Sequence, residues 1–283
     1  MTRWAWRPDG LVQDLEHSFA AGTPVRFTYL YNREGGVSAR LLNDASYQAT
    51  PALQASTGYT ANALNQYTSV GTASLAYDAN GNLTSDGTNS YVWDHANRLL
   101  SMGGVDYAYD GDGRRISQTA ASIATKYLLD IQPALANVLG QTVDTDTSYF
   151  VHSPRGIHAM QNPSGPWSYA SQDGLGSVRQ EVDAVSKVLA IGDYQPFGTL
   201  ENLQGTFGLP FRFTGEPTDF NELVHLRKRY LNPMLGIFPS RDPFEGVINR
   251  PMSLNGYSWV EGDPVNKGDP SGLIVCSDLR NDL

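Results

Sequence analysis

Apolar and polar positions alternate in short runs along most of this chain. Arg26-Phe-Thr-Tyr-Leu-Tyr-Asn32 has the period-two pattern of a half-buried strand, and residues 32–36 read as the turn that follows. Lys126-Tyr-Leu-Leu-Asp-Ile131 and Thr147-Ser-Tyr-Phe-Val-His152 read as further strands, with Gly, Asn and Pro between them. Residues 49–70 are rich in Ala, Thr and Asn and have weak periodicity. No apolar run approaches the length of a transmembrane helix. Residues 1–8 lack the apolar segment of a signal peptide.

A repeat organises the middle of the chain. Tyr77-Asp78, Trp93-Asp94 and Tyr109-Asp110 recur at intervals of 16 residues. The units read Tyr77-Asp-Ala-Asn-Gly-Asn-Leu-Thr, Trp93-Asp-His-Ala-Asn-Arg-Leu-Leu and Tyr109-Asp-Gly-Asp-Gly-Arg-Arg-Ile, and a degenerate copy begins at Tyr59, with residues 62–66 in place of the turn. In each unit an aromatic ends a short strand, a polar segment tolerant of positive φ makes a hairpin turn, and an apolar residue opens the return strand. One unit cannot bury its aromatic alone, whereas stacked neighbours can. Tyr77, Trp93 and Tyr109 are therefore expected to be mostly buried at equivalent places. Asp78, Asp94 and Asp110 are expected to accept hydrogen bonds from backbone N–H groups in the turns. Calcium ligation is the competing use of these aspartates. It is disfavoured because each unit supplies too few carboxylates for an ion that takes about 6–8 oxygens.

Composition narrows the picture. The 283 residues suit one or two domains. With 20 Lys and Arg against 29 Asp and Glu, the formal charge of −9 argues against a nucleic-acid partner held by a basic footprint. Fifteen Tyr and 28 Gly favour many short strands joined by tight turns. The single cysteine, Cys276, excludes an internal disulfide framework and a cysteine zinc cluster. The five histidines, His17, His95, His152, His158 and His225, have no metal-ligand spacing and read as scattered polar-surface residues. No metal or cofactor is expected. The stretch Gly174-Leu-Gly-Ser has too few glycines and no following helix for a phosphate loop, so it reads as a turn.

Candidate chemistry lies near the C-terminus, where three Asp-Pro pairs fall within residues 241–273: Asp242-Pro243, Asp263-Pro264 and Asp269-Pro270. Each proline fixes its own φ and pushes the aspartate before it towards extended geometry. Such an aspartate can open a turn and accept backbone hydrogen bonds. Two of them brought together can instead share a proton and activate water. Spacing alone leaves both readings open.

Several segments carry a family resemblance. Gln172-Asp-Gly-Leu-Gly-Ser-Val-Arg179, Asp193-Tyr-Gln-Pro-Phe-Gly198, Leu226-Arg-Lys-Arg-Tyr-Leu-Asn-Pro233 and the closing Asp269-Pro-Ser-Gly-Leu273 resemble the repeat-associated core of RHS (YD-repeat) proteins, and the 16-residue units resemble the YD repeat itself. Two departures stand out: Asn232 replaces the usual Asp before Pro233, and Ile237 replaces the usual Arg before Phe238. The resemblance implies an all-β fold, a curled antiparallel repeat sheet forming part of a shell, with a C-terminal core that folds inward as a plug. It divides the chain into N-terminal strands of uncertain role (1–48), a YD-hairpin shell segment (49–210), the core (211–273) and a short tail (274–283). An unpaired, sticky strand edge is expected near residues 26–32.

The resemblance also implies a function. The core of such proteins acts as an aspartyl autoprotease that cuts after the closing Gly-Leu and frees a C-terminal effector. Carried over, Asp242 and Asp269 are the carboxylates and Leu273-Ile274 is the scissile bond, cut once per chain. Arg229 and Arg241 are candidates to hold the ionised carboxylate or the oxyanion, and equally candidates for surface ion pairs. The ten residues after Leu273 are too few to fold as an effector. The chain thus reads as a fragment or a degenerate member, whose partners would be the remainder of a shell or an effector. Family resemblance implies secretion or display at a cell surface. The rival reading is a non-enzymatic module of stacked hairpins that contacts a protein or a glycan. A glycoside hydrolase is a third reading, but it depends on a carboxylate separation that sequence does not supply.

Overall fold

The computed structural model describes residues 1–19, 23–48, 56–163 and 165–277. Residues 49–55 and 278–283 of the predicted spans lie outside the described residues. The fold is all-β, and among the described residues the only helical segments are short 3₁₀ turns. Every strand pairing is antiparallel. The largest sheet has twelve strands in sequential order, from Tyr91–Trp93 to Leu200–Gly205, and it is open. The strands Lys126 to Ile131 and Thr147 to His152 expected from the sequence lie within Ile123–Asp130 and Asp146–Ser153.

Alternation makes one face of this sheet apolar. Along Val105–Tyr109, Val105 and Tyr107 are buried and their neighbours Asp106 and Ala108 are exposed. Along Asp146–Ser153, Phe150 points inward while Tyr149 and Val151 face solvent. The chain after the last strand returns across the apolar face. Phe207, Leu209 and Phe211 pack with Phe150, Ile157, Met160 and Val178. Further on, Leu223 and Tyr230 pack with Leu83, Tyr91, Leu99, Met102, Val105 and Tyr107. The C-terminal segment thus fills the hollow of the curled sheet, where it forms its own cluster around Phe238, Trp259 and Val260.

The N-terminal strands form a separate four-stranded sheet, β1 (Thr2–Trp6), β2 (Val12–His17), β3 (Val25–Tyr31) and β4 (Val37–Leu42). The expected open edge at residues 26–32 is corrected here: β3 pairs with β2 on one side and β4 on the other. Residues 32–36 turn the chain directly back into β4, so the edge is covered locally and β1 and β4 are the outer strands. This sheet covers strand Val178–Asp183, which is buried on both faces. Arg179 donates to the Tyr47 carbonyl at 2.9 Å and pairs with Asp193 at 2.7 Å. Arg40 on β4 pairs with Asp173 at 2.9 Å and with Asp193 at 3.2 Å.

The repeat turns share one geometry. Asp78 Oδ1 accepts the N–H groups of Asn80 and Asn82, Asp94 Oδ1 those of Ala96 and Arg98, and Asp110 Oδ1 those of Asp112 and Arg114, all at 2.8–3.0 Å. Asn62 does the same in the degenerate copy, with Leu64 and Gln66. Tyr77, Trp93 and Tyr109 are mostly buried, short of full enclosure, and they pack against the core cluster they share. Trp93 Nε1 donates to the Leu83 carbonyl and the Tyr109 hydroxyl to the Leu99 carbonyl, each ten residues back.

Candidate functional site

The C-terminal segment brings two of the three Asp-Pro aspartates to one cation. Arg229 opens the strand Arg229–Leu231, and its side chain is 5% exposed. Its Nη2 lies 2.5 Å from Asp242 Oδ2 and 3.8 Å from Asp269 Oδ2. The guanidinium lies over the Phe238 ring at 3.6 Å, donates from Nη1 to the Gly256 carbonyl at 3.1 Å and from Nε to the Gly272 carbonyl. A planar cation with five donors suits this set of acceptors, which a lysine could not span.

Each carboxylate divides its work between its two oxygens. Asp242 Oδ1 accepts the Phe244 N–H at 2.8 Å, the turn role expected of an Asp-Pro pair, while Oδ2 faces Arg229. Asp269 Oδ1 accepts the Ser271 hydroxyl at 2.7 Å and the N–H groups of Leu273 and Ile274 at 3.1 and 3.2 Å. Its Oδ2 faces Arg229. Turn punctuation and a carboxylate pair are therefore not alternatives, because the same residues do both. Asp263, in the third pair, accepts from Asn266 Nδ2 and lies outside this site.

Burial sets the electrostatics. Burial pushes the Asp242 carboxyl up from its ordinary value. Arg229 opposes this, and the neighbouring Asp269 charge adds to it. Arg229 is pulled down to about 10, because loss of solvent outweighs both carboxylates. Asp242, Arg229, Tyr230, Ser240 and Leu273 line a cavity of about 690 Å³, which gives water access to the loop.

Of the predicted site residues, Arg229, Asp242, Asp269, Leu273 and Ile274 converge. Arg241 does not: it is exposed and forms no ion pair with either carboxylate. Its side chain lies instead beside Gly81 and Gly256. The two departures from the family pattern are absorbed structurally. Asn232 Oδ1 closes its own turn by accepting from Met234 and Leu235, and Ile237 is buried. The reading of the histidines is corrected in part: His17 and His225 are buried and His152 is half-buried. Their rings sit edge-on or tilted against Phe27, Tyr230 and Phe211, respectively. Among the described residues no group of three or more His, Cys, Asp or Glu is placed to hold a metal ion, and no helix is long and apolar enough to cross a membrane.

Sequence reasoning missed Arg227 and Glu216. Arg227 Nη1 donates to Glu216 Oε2 at 2.7 Å and to the Pro270 carbonyl at 2.6 Å, and its Nε donates to the Ala136 carbonyl at 3.1 Å. The only signal was the basic run at residues 227–229, which did not separate one arginine from the other.

Comparison with known proteins agrees with this architecture. The Teneurin YD-shell family profile matches residues 39–150. The tRNA3(Ser)-specific nuclease WapA of Bacillus spizizenii is 29% identical over 279 residues, covering 94% of this chain and 12% of that protein. The tRNA nuclease WapA of Bacillus subtilis is 28% identical over 281 residues, with the same coverage. The chain thus spans about an eighth of the length of these curated relatives. Among solved structures, the TcdB2-TccC3-Cdc42 crystal structure superposes with a TM-score of 0.67 at 17% identity, over 96% of this chain and 18% of that one. A Photorhabdus luminescens Tc holotoxin pore with a mutated TccC3 superposes with a TM-score of 0.65 at 17% identity, over 100% and 18%. With its 16-residue aromatic-Asp turns and its open twelve-stranded wall filled by the returning C-terminus, this chain shares the YD-repeat shell fold of these proteins.

Proposed function

We propose that residues 211–273 form a single-turnover aspartyl autoprotease that hydrolyses the Leu273-Ile274 bond and frees whatever chain follows. The observation that carries this reading is the placement of Asp269. One of its oxygens lies 3.2 Å from the amide nitrogen of Ile274, and the other shares Arg229 with Asp242. Two carboxyls facing one site hold one proton between them, and burial of Asp242 places it there. Ionised Asp269 takes a proton from water, whose oxygen adds to the Leu273 carbonyl carbon. Asp242 protonates the carbonyl oxygen, and Arg229 steadies the charge on the pair. As the C–N bond breaks, Asp269 passes its proton to the Ile274 nitrogen, and Asp242 recovers its own when the carboxyl forms. Reactants tethered in one turn gain the advantage of fixed proximity.

In this reading the chain is the closing part of a secreted or surface-displayed toxin-like shell, and its partners are the rest of that shell and the freed effector. The test is the intact mass of purified chain during incubation. Loss of residues 274–283 in the wild type, and their retention in Asp242→Asn and Asp269→Asn, supports the reading; a wild type that keeps them overturns it. One observation favours a non-enzymatic surface for a protein or glycan partner. Trp4 and Trp6 stack at 5.9 Å on the outer strand β1, with Arg155 4.0 Å over Trp4 and Trp6 exposed.

A further inference from the structure

Arg227 is the first residue of the two-residue turn in one hairpin, Val224–Leu226 with Arg229–Leu231, Arg229 opens the return strand, and both side chains reach the loop that carries Leu273. Arg229 takes the Gly272 carbonyl and Arg227 the Pro270 carbonyl. The hairpin adds a third tie, from the Lys228 N–H to the Ser271 carbonyl at 3.3 Å. Three consecutive carbonyls of the loop are thus held by three consecutive residues of the hairpin.

Arg227 stands at φ +57. Glycine is the residue that backbone sterics favour there, so a glycine at this position would suit the backbone while removing the side chain. That side chain is held from behind by Glu216, a buried carboxylate pushed up from its ordinary value by loss of solvent, against the opposing pull of Arg227. A cavity of about 410 Å³ lies behind the loop, with Glu216, His225, Arg227, Ser271 and Leu273 among its lining residues.

We propose that the Arg227–Glu216 pair is a positioning clamp for the cleavage loop, fixing the Pro270 carbonyl so that the Ile274 amide meets Asp269. The clamp rests on the autoprotease reading, but its geometry can be tested apart from it. Glu216→Gln keeps an acceptor for Arg227 and should cut at a rate within about threefold of wild type. Arg227→Gly combined with Glu216→Gln suits the backbone and leaves no buried charge unpaired. It should melt close to wild type yet cut about 100-fold more slowly, the scale of loss expected for a misplaced reacting group. Added guanidinium ion, below denaturing concentration, should recover part of that rate. In an Asp242→Asn background, which stays uncut, amide exchange at Leu273 and Ile274 should be faster in the double variant than in its parent. Wild-type-like cutting in the double variant overturns the clamp. So does unchanged amide exchange at both positions. If wild-type chain never cuts, the autoprotease reading fails and the exchange measurement alone decides the clamp.

Discussion

The amide nitrogen of Ile274 lies 3.2 Å from Oδ1 of Asp269, five residues earlier in the chain. Asp269 also closes its turn through Leu273, four residues on, with the same atom. This resembles the Asp-to-i+4 closure of the YD turns at Asp78, Asp94 and Asp110, with one added donor. The fold thus reuses its commonest turn where the carboxylate's second oxygen faces Arg229, the cation that also holds Asp242.

Gly272 is a backbone requirement of that turn. Its φ is +71, and a Cβ there would lie 2.5 Å from the Leu226 carbonyl oxygen and 2.9 Å from the Arg229 nitrogen. Gly272→Ala should lower stability by about 1–3 kcal/mol and slow cleavage by separating the loop from Arg229. Urea titration of the variant alongside a cleavage time course checks both effects.

The repeat turns need an acceptor rather than a charge, as Asn62 demonstrates by closing its turn with an amide oxygen. Asp78→Asn should therefore be nearly neutral. Asp78→Ala leaves two N–H groups without their acceptor and should cost about 1–2 kcal/mol. The comparison is read from the urea midpoints of the two variants.

Much of the wall was legible in the sequence because its signals are local. A 16-residue period and a period-two alternation each report contacts between near neighbours. The pairing of β3 with β4 was missed because Val-Ser-Ala-Arg-Leu-Leu is a weaker alternation than the strand before it. At the site, the Asp-Pro pairs offered three aspartates, and family resemblance selected Asp242 and Asp269 and added the bond. Arg227 and Glu216 stayed hidden because their partners Pro270 and Ala136 lie 43 and 91 residues from Arg227, beyond the reach of any sequence pattern. The buried histidines were missed for a related reason: His225 is enclosed by elements as distant as Arg115.

Acid should weaken the fold through His225. Burial holds it well below the ordinary value of 6.5, and Arg115 and Arg227 add to that. The unfolded chain takes up a proton near 6.5 that the folded chain refuses, so stability is lost as pH falls below that point. His17 and His152 act in the same sense. Glu216 and Asp219 act oppositely, because their buried carboxyls keep a proton that the unfolded chain releases. The His225 contribution is therefore the difference between wild type and His225→Phe. In urea titrations between about pH 8 and about pH 5, the wild-type midpoint should fall more steeply.

The most direct measurement is mass spectrometry of chain incubated in water enriched in ¹⁸O. The account predicts a new C-terminus at Leu273 carrying one heavy oxygen in its carboxyl group, a free amine on Ile274, and neither product from Asp269→Asn. A wild-type chain that stays whole, or one cut at another bond, contradicts it.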